Sequence, residues 1–301
     1  MASGSVKILL SGRNGQLGWE LARALAPLGE IVAFDRAGLD LADPARLAST
    51  VRELKPDIIV NPAAYTAVDR AESESEAAFA INARAPSVLA EEAKRLGALL
   101  IHYSTDYVFD GAKAAPYLED DATNPLGVYG ASKLEGERAI AASGARHWIF
   151  RTSWVYAPRG KNFLLTILRL AREGKPLRVV ADQFGAPTSA AMLARATAQA
   201  LTTQVQAISR LSPHNAPPPS GVYHMTAAGR TSWHGFARAI LREFRLDNPV
   251  TAIPASEYPL PAKRPGNSVL DNSRLAAAFG IRLPGWEDGL REAAAMLQKP
   301  H

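Results

Sequence analysis

The sequence predicts an α/β fold, a doubly wound parallel sheet joined to a smaller mixed α/β lobe. Three observations predict it. Short apolar runs alternate with helix-period segments through the first half of the chain. A glycine-rich turn separates the first run from the first helical segment. Past about residue 155 the alternation loses its regularity.

Residues 6–10 form a short run, apolar but for Lys7, that breaks at Ser11-Gly12. Leu17, Leu21, Leu25 and Leu28 then recur at helical spacing, and Pro27 with Gly29 ends that helix. A second apolar run, 31–34, stops at Asp35. Strand, turn, helix and strand within about 30 residues make a βαβ unit. Residues 57–60 predict a third strand, and 74–96 one or two helices interrupted near Pro86. Residues 99–103 predict a fourth strand, 129–142 a helix and 148–150 a fifth strand. Apolar strands alternating with helices need a parallel sheet covered on both faces. Further on, 162–172 has helical period, Leu177–Val180 reads as a strand and 190–201 as an Ala-rich helix. Residues 202–221, with Pro217-Pro218-Pro219, predict a surface loop. Residues 222–225 predict a short strand, and Thr231 or Ser232 caps a helix reaching Phe244. Pro254, Pro259, Pro261 and Pro265 make the following stretch irregular.

Composition narrows the function. The chain has 301 residues, 47% of them hydrophobic, enough for a substantial core. The net charge of +5 comes from 34 basic and 29 acidic residues with no Lys/Arg block, which argues against nucleic acid as a partner. With no cysteine, disulfides, thiolate catalysis and Cys-ligated metals are excluded. No apolar run approaches the roughly 20 residues that span a bilayer. Residues 1–5 lack a signal-peptide pattern, so the expectation is a soluble cytoplasmic protein.

Gly12-Arg13-Asn14-Gly15-Gln16-Leu17-Gly18 is a G-x-x-G-x-x-G turn with a strand before it and a helix after it. Glycines permit a tight backbone close to a pyrophosphate, and the helix N-terminus presents free N–H groups to it. In that context the turn predicts a Rossmann-type dinucleotide site built from Gly12, Gly15, Gln16, Leu17 and Gly18. Asp35, 17 residues past Gly18, can accept from ribose hydroxyls, which favours NADH; Arg13 and Arg36 can hold a 2′-phosphate, which favours NADPH. Asp40 and Leu41 are expected near the adenine. The small residues Ala63 and Ala64, with Tyr65, are expected to let the cofactor cross the sheet edge. Tyr103 and Ser104-Thr105 close the fourth strand at the edge where ligands bind in this fold.

Tyr129 and Lys133 stand four apart at the start of a helix and share one face. Reducing a ketone by hydride transfer builds negative charge on the carbonyl oxygen, which needs a proton donor. A free phenol, with a pKa of about 10, is poorly matched to neutral pH, and a nearby ammonium is expected to lower it. Lys133 can also hold the nicotinamide ribose, and Thr105 can hydrogen-bond the carbonyl oxygen.

These residues resemble the extended short-chain dehydrogenase/reductases, and more narrowly the dTDP-4-dehydrorhamnose reductases among them. The characteristic stretches are Gly15-Gln16-Leu17-Gly18, Asn61-Pro62-Ala63-Ala64-Tyr65-Thr66-Ala67-Val68-Asp69 and Ser104-Thr105-Asp106-Tyr107-Val108-Phe109-Asp110-Gly111. Tyr129-Gly130-Ala131-Ser132-Lys133, Arg151-Thr152-Ser153-Trp154-Val155-Tyr156, Asp182-Gln183-Phe184-Gly185-Ala186-Pro187-Thr188 and Arg264-Pro265 with Asn267-Ser268 complete the set. The resemblance implies NADPH or NADH delivering hydride to the C4 ketone of dTDP-6-deoxy-L-lyxo-4-hexulose, giving dTDP-L-rhamnose. It makes Tyr129 the proton donor, Lys133 its tuner and Thr105 the carbonyl partner. Ser104 and Trp154 would line the sugar pocket and Arg264 would meet the diphosphate. It further implies a dinucleotide-binding domain over 1–155, with 178–205 added, and a substrate lobe made of 156–177 and 206–301. A monomer or a homodimer is expected, without membrane. Some relatives use Mg²⁺ through acidic residues. Glu20 fits one such position, but Ser189-Ala190-Ala191 stands where those relatives carry a glutamate, so the set is one acid short.

Two other readings share the scaffold. A dehydratase or epimerase is one; dehydration calls for Asp-Glu after the catalytic Thr, where this chain has Asp106-Tyr107. A non-catalytic cofactor-binding regulatory subunit is the other, and the presence of Thr105, Tyr129 and Lys133 favours catalysis over it.

Overall fold

The structure is a computed structural model that describes residues 5–210 and 219–298. Its first half follows the predicted alternation: β1 (Lys7–Leu10), α1 (Gln16–Leu25), β2 (Glu30–Ala33), α2 (Pro44–Leu54), β3 (Ile58–Asn61), α3 (Ala85–Leu96), β4 (Leu99–Thr105), α4 (Val128–Ser143) and β5 (Arg146–Thr152). The second half adds α5 (Phe163–Arg172), β6 (Leu177–Val180), α6 (Ala190–Arg210), β7 (Gly221–His224), α7 (Trp233–Glu243), β8 (Val250–Ile253), α8 (Ser273–Phe279) and α9 (Trp286–Gln298).

Six strands form one sheet in the order β7-β5-β4-β3-β1-β2, with every pairing parallel. Side chains alternate between its two faces. Ile8, Leu10, Ile58, Val60, Leu99, Ile101, Trp148 and Phe150 face the core that holds α1 and α6. Leu9, Ile59, Leu100 and Ile149 face the core that holds α2, α3 and Ile140 of α4. Both faces are therefore apolar, as a doubly wound sheet requires.

The structure departs from the sequence-based expectation in four places. Helix α2 went unforeseen, although its signal is local: Asp43 caps it by accepting from the Arg46 N–H at 3.0 Å, and Pro44 fills the first turn. Pro86 interrupts nothing. The helical path from Ser75 widens to a π turn over Ala80–Arg84 and continues into α3, with Pro86 in the first turn where its missing N–H does no harm. The expected loop from 202 is helical as far as Arg210, because α6 continues, and residues 211–218 lie outside the described residues. Strand β7, expected in the smaller lobe, pairs with β5 and extends the main sheet.

Candidate active site

In a parallel sheet all carboxyl ends point the same way, so the turns after β1, β3 and β4 open on one edge. A cavity of about 620 Å³ follows that edge, a volume suited to an organic ligand. Its wall runs from Gly12, Gly15, Gln16, Leu17 and Gly18 past Asp35 and Ala63-Ala64 to Tyr103, Ser104, Thr105, Tyr129 and Lys133. It ends at Trp154, Phe163 and Trp233.

The glycine turn is shaped by close approach. Gly12 has φ +63°, and a Cβ there would stand 2.9 Å from the Cβ of Ala63. A Cβ on Gly18 would stand 2.0 Å from the Gly12 carbonyl oxygen. Gly15 caps α1 without a side chain, which leaves the first amides of the helix open to an anion. Next to them, Asp35 accepts from Asn14 Nδ2 at 3.1 Å and from the Gly38 N–H at 3.0 Å. The Gly38 N–H, then Asn14 and Arg13, hold its carboxyl below the ordinary value.

Thr105 ends β4, and α4 brings Tyr129 and, one turn later, Lys133 to the same wall. The Thr105 hydroxyl donates to Asp106 Oδ1 at 3.0 Å and accepts from the Tyr107 N–H at 3.2 Å. Burial pushes the Tyr129 phenol up to about 12; the Thr105 hydroxyl opposes that rise and the Asp106 charge adds to it. Burial pulls the Lys133 amino group down to about 7, against the attraction of Glu137. Lys133 Nζ donates to the Tyr103 carbonyl at 2.6 Å and lies 3.0 Å from His102 Nε2. The expected lowering of the phenol by an adjacent ammonium is thus corrected. The Lys133 nitrogen is turned into the sheet, and the neighbour that moderates Tyr129 is Thr105.

The hydroxyls of Ser104, Thr152 and Tyr156 are buried on this wall and have no hydrogen-bond partner among the described residues. An unpaired buried hydroxyl is unfavourable by about 1–3 kcal/mol, so these atoms suit a polar ligand. Together with the open amides of α1 they fit a dinucleotide and a sugar.

Trp154 lines the cavity with φ +48°. Its indole stacks on Trp233, with centroids 3.5 Å apart and planes at 5°. It lies against Gly185, where a Cβ would come within 2.5 Å of the ring.

Sequence reasoning missed Asp106 and Trp233. Asp106 is buried beside Thr105 and accepts from the Thr105 and Ser153 hydroxyls, each at 3.0 Å, yet burial raises its carboxyl to about 6. The Ser-Thr-Asp and Arg-Thr-Ser stretches carried the signal, but only the pairing of β4 with β5 brings them together.

Other expected residues lie off the wall. Leu41 is buried in the core beneath α2, and Asp40 turns to the Ala42 N–H and to Arg36. The Tyr65 hydroxyl donates to Glu74 at 2.5 Å, and its backbone is held by Asn82. The Arg264 guanidinium, expected at a diphosphate, binds Asp69 at two points, 3.1 and 2.9 Å, which neutralises it. Glu20 is buried on α1, where desolvation raises its carboxyl; Glu292 nearby is committed to Arg195 at 2.6 and 2.7 Å. Among the described residues no three His, Cys, Asp or Glu gather in a group that could hold a metal ion.

Residues 6–299 match the family described as the RmlD substrate binding domain. The chain is similar to the dTDP-4-dehydrorhamnose reductase of Burkholderia thailandensis, with 53% identity over 93% of this chain and 95% of the relative. It is also similar to that of Escherichia coli K12, with 48% identity over 95% and 96%. Among solved structures, the dTDP-4-dehydrorhamnose reductase of Bacillus anthracis in complex with NADP superposes with a TM-score of 0.88. That pair is 33% identical over 97% of this chain and 99% of the other.

Proposed function

The chain belongs to the RmlD substrate binding domain family, and on that premise we propose that it reduces the C4 ketone of dTDP-6-deoxy-L-lyxo-4-hexulose to dTDP-L-rhamnose with NADPH or NADH. The observation that carries the reading is one cavity wall. It begins at an uncapped helix N-terminus and ends with Thr105, Tyr129 and Lys133 side by side. The glycine turn and the first amides of α1 hold the diphosphate of the cofactor. Asp35 takes the ribose hydroxyls, and the exposed Arg36 beside it takes a 2′-phosphate. When bound, the nicotinamide supplies the hydride.

The chain's own residues manage the proton. A phenol held near 12 keeps its proton at neutral pH. Tyr129 can therefore donate it to the carbonyl oxygen as negative charge grows there. The Thr105 hydroxyl, turning its proton from Asp106, steadies that oxygen, and Ser104 and Thr152 offer further hydroxyls to sugar or ribose. Trp154, stacked on Trp233, gives the sugar a flat apolar wall. In this reading 1–155 with 178–205 grip the cofactor, and 156–177 with 206–301 close over the sugar. The exception is β7, which belongs to the sheet. Among the described residues no helix is long and apolar enough to cross a membrane. A cytoplasmic monomer or homodimer is the assembly we propose.

The test makes the 4-keto sugar from dTDP-glucose with a dehydratase and an epimerase, adds this protein and follows NADPH absorbance with product identity. One NADPH consumed per dTDP-L-rhamnose formed is expected. Tyr129→Phe is expected to lose about 10²- to 10⁴-fold in turnover while still binding NADPH. Bound NADPH with the sugar left untouched would sink the proposal, and product formed without net NADPH use would mean an epimerase.

A further inference from the structure

At the carboxyl edge of the sheet the face covered by α2, α3 and α4 turns from apolar to polar. Leu9 on β1 is followed two residues on by Ser11, Ile59 on β3 by Asn61, and Leu100 on β4 by His102. Asn61 registers with His102, and Ser11 lies alongside Asn61. The three make a continuous row. The Ser11 hydroxyl donates to Asn61 Oδ1 at 2.6 Å, Asn61 Nδ2 lies 3.1 Å from His102 Nδ1, and His102 Nε2 lies 3.0 Å from Lys133 Nζ. All four side chains are at most 2% exposed.

We propose that His102 is a positioning residue for Lys133, a neutral imidazole whose tautomer follows the charge on the lysine. A neutral imidazole has one donor and one acceptor nitrogen. With Asn61 Nδ2 facing Nδ1, the ring proton sits on Nε2 and is donated to the lone pair of an uncharged Lys133 amine. Turning the Asn61 amide by half a revolution reverses each bond. Nδ2 then donates to Ser11 Oγ, the His102 Nδ1–H donates to Oδ1, and Nε2 accepts from an ammonium. Each arrangement gives every nitrogen and oxygen of the row at least one partner within it, and the two differ in the charge carried by Lys133. The third combination, imidazolium against ammonium, is disfavoured, since burial and then the Lys133 charge hold His102 well below the ordinary histidine range. The titratable groups facing Lys133 are few. Glu137 comes from α4 and His102 from β4, while β1 and β3 supply only the neutral Ser11 and Asn61, and Tyr129 stands one helical turn away on α4. Glu137 is itself bonded to Arg151 of β5 at 2.6 Å, and Asp106 faces the phenol rather than the amine.

The proposal deepens the reductase reading, but its decisive test needs neither cofactor nor sugar. Nitrogen-15 correlation spectra of the free protein report which ring nitrogen of His102 carries the proton. From about pH 6 to about pH 9 the ring is expected to stay neutral. Its proton is expected to move from Nδ1 to Nε2 with the midpoint at which a carbon-13 label on Lys133 Cε reports loss of charge. Lys133→Met, which also assigns the signals, is expected to abolish the change. A single tautomer throughout, or a ring that takes up its own proton in this range, would overturn the proposal. His102→Leu, which offers no partner, is expected to lower the Lys133 midpoint by about one pH unit, and the pH profile of turnover with it, at unchanged sugar KM. His102→Gln, whose amide can face Lys133 either way, is expected to restore both; identical profiles for the two variants would count against the proposal. A tautomer switch in a protein that reduces no 4-keto sugar would remove the reductase reading and leave this one standing.

Discussion

At Asp106 burial outweighs the hydroxyls that donate to it, and the carboxyl rises from 3.8 to about 6. The sign of the consequence follows from proton counting. Between about pH 4 and about pH 6 the unfolded chain has released this proton and the folded one keeps it. The stability it contributes is present below pH 4 and lost as pH rises through 6. Asp106→Asn removes the penalty of a buried charge, so at pH 8 the variant is expected to unfold with on the order of 3 kcal/mol more free energy than the parent, and at about pH 3 with no difference. Denaturant melts at the two pH values check this, and an equal difference at both would mean that the carboxyl titrates normally. Residue identity was legible for Tyr129, Lys133 and Thr105, because their spacing along one helix and one strand end is local. What their surroundings do to them was not. The sequence shows a lysine one turn from a tyrosine; it does not show that burial moves both groups or that the lysine nitrogen turns toward Tyr103 and His102.

Among the elements, the turn between β1 and α1 is the most tightly determined. Its glycines are there for approach distance as much as for backbone freedom. The Cβ of Gly18→Ala would meet the backbone of Gly12 at 2.0 Å, and a backbone atom cannot rotate away. The helix must shift off the strand end, which is expected to destabilise the fold by about 1–3 kcal/mol and to weaken NADPH binding together with it. Thermal melts and a fluorescence titration read the two effects, and unimpaired cofactor affinity would place the diphosphate elsewhere. Strands were legible as short apolar runs. Helix α2 was overlooked because its apolar face is reduced to Leu47 and Val51, and the reach of α6 to Arg210 was hidden by the weak periodicity of 202–210.

Across the whole molecule, one apolar cluster joins Ile8 and Leu10 of the sheet to Leu193 of α6, Phe236 of α7 and Leu290 of α9. The regular half and the irregular half thus share a core. NADPH at 100 times its Kd is expected to add about 2.7 kcal/mol to the stability of the entire chain, as one cooperative transition moving upward. Scanning calorimetry with and without NADPH checks this; two transitions, of which one moves, would show that the halves unfold separately. The parallel doubly wound sheet, the glycine turn and the Thr-Tyr-Lys set were determined by the sequence by itself, because hydrophobic period, turn chemistry and helical spacing act between near neighbours along the chain. The assignment of β7 to the sheet, the commitment of Arg264 to Asp69 and the row from Ser11 to Lys133 were decided only in the tertiary structure. Each depends on which residues, tens to nearly two hundred positions apart, are brought within hydrogen-bonding distance, and local pattern carries no record of that.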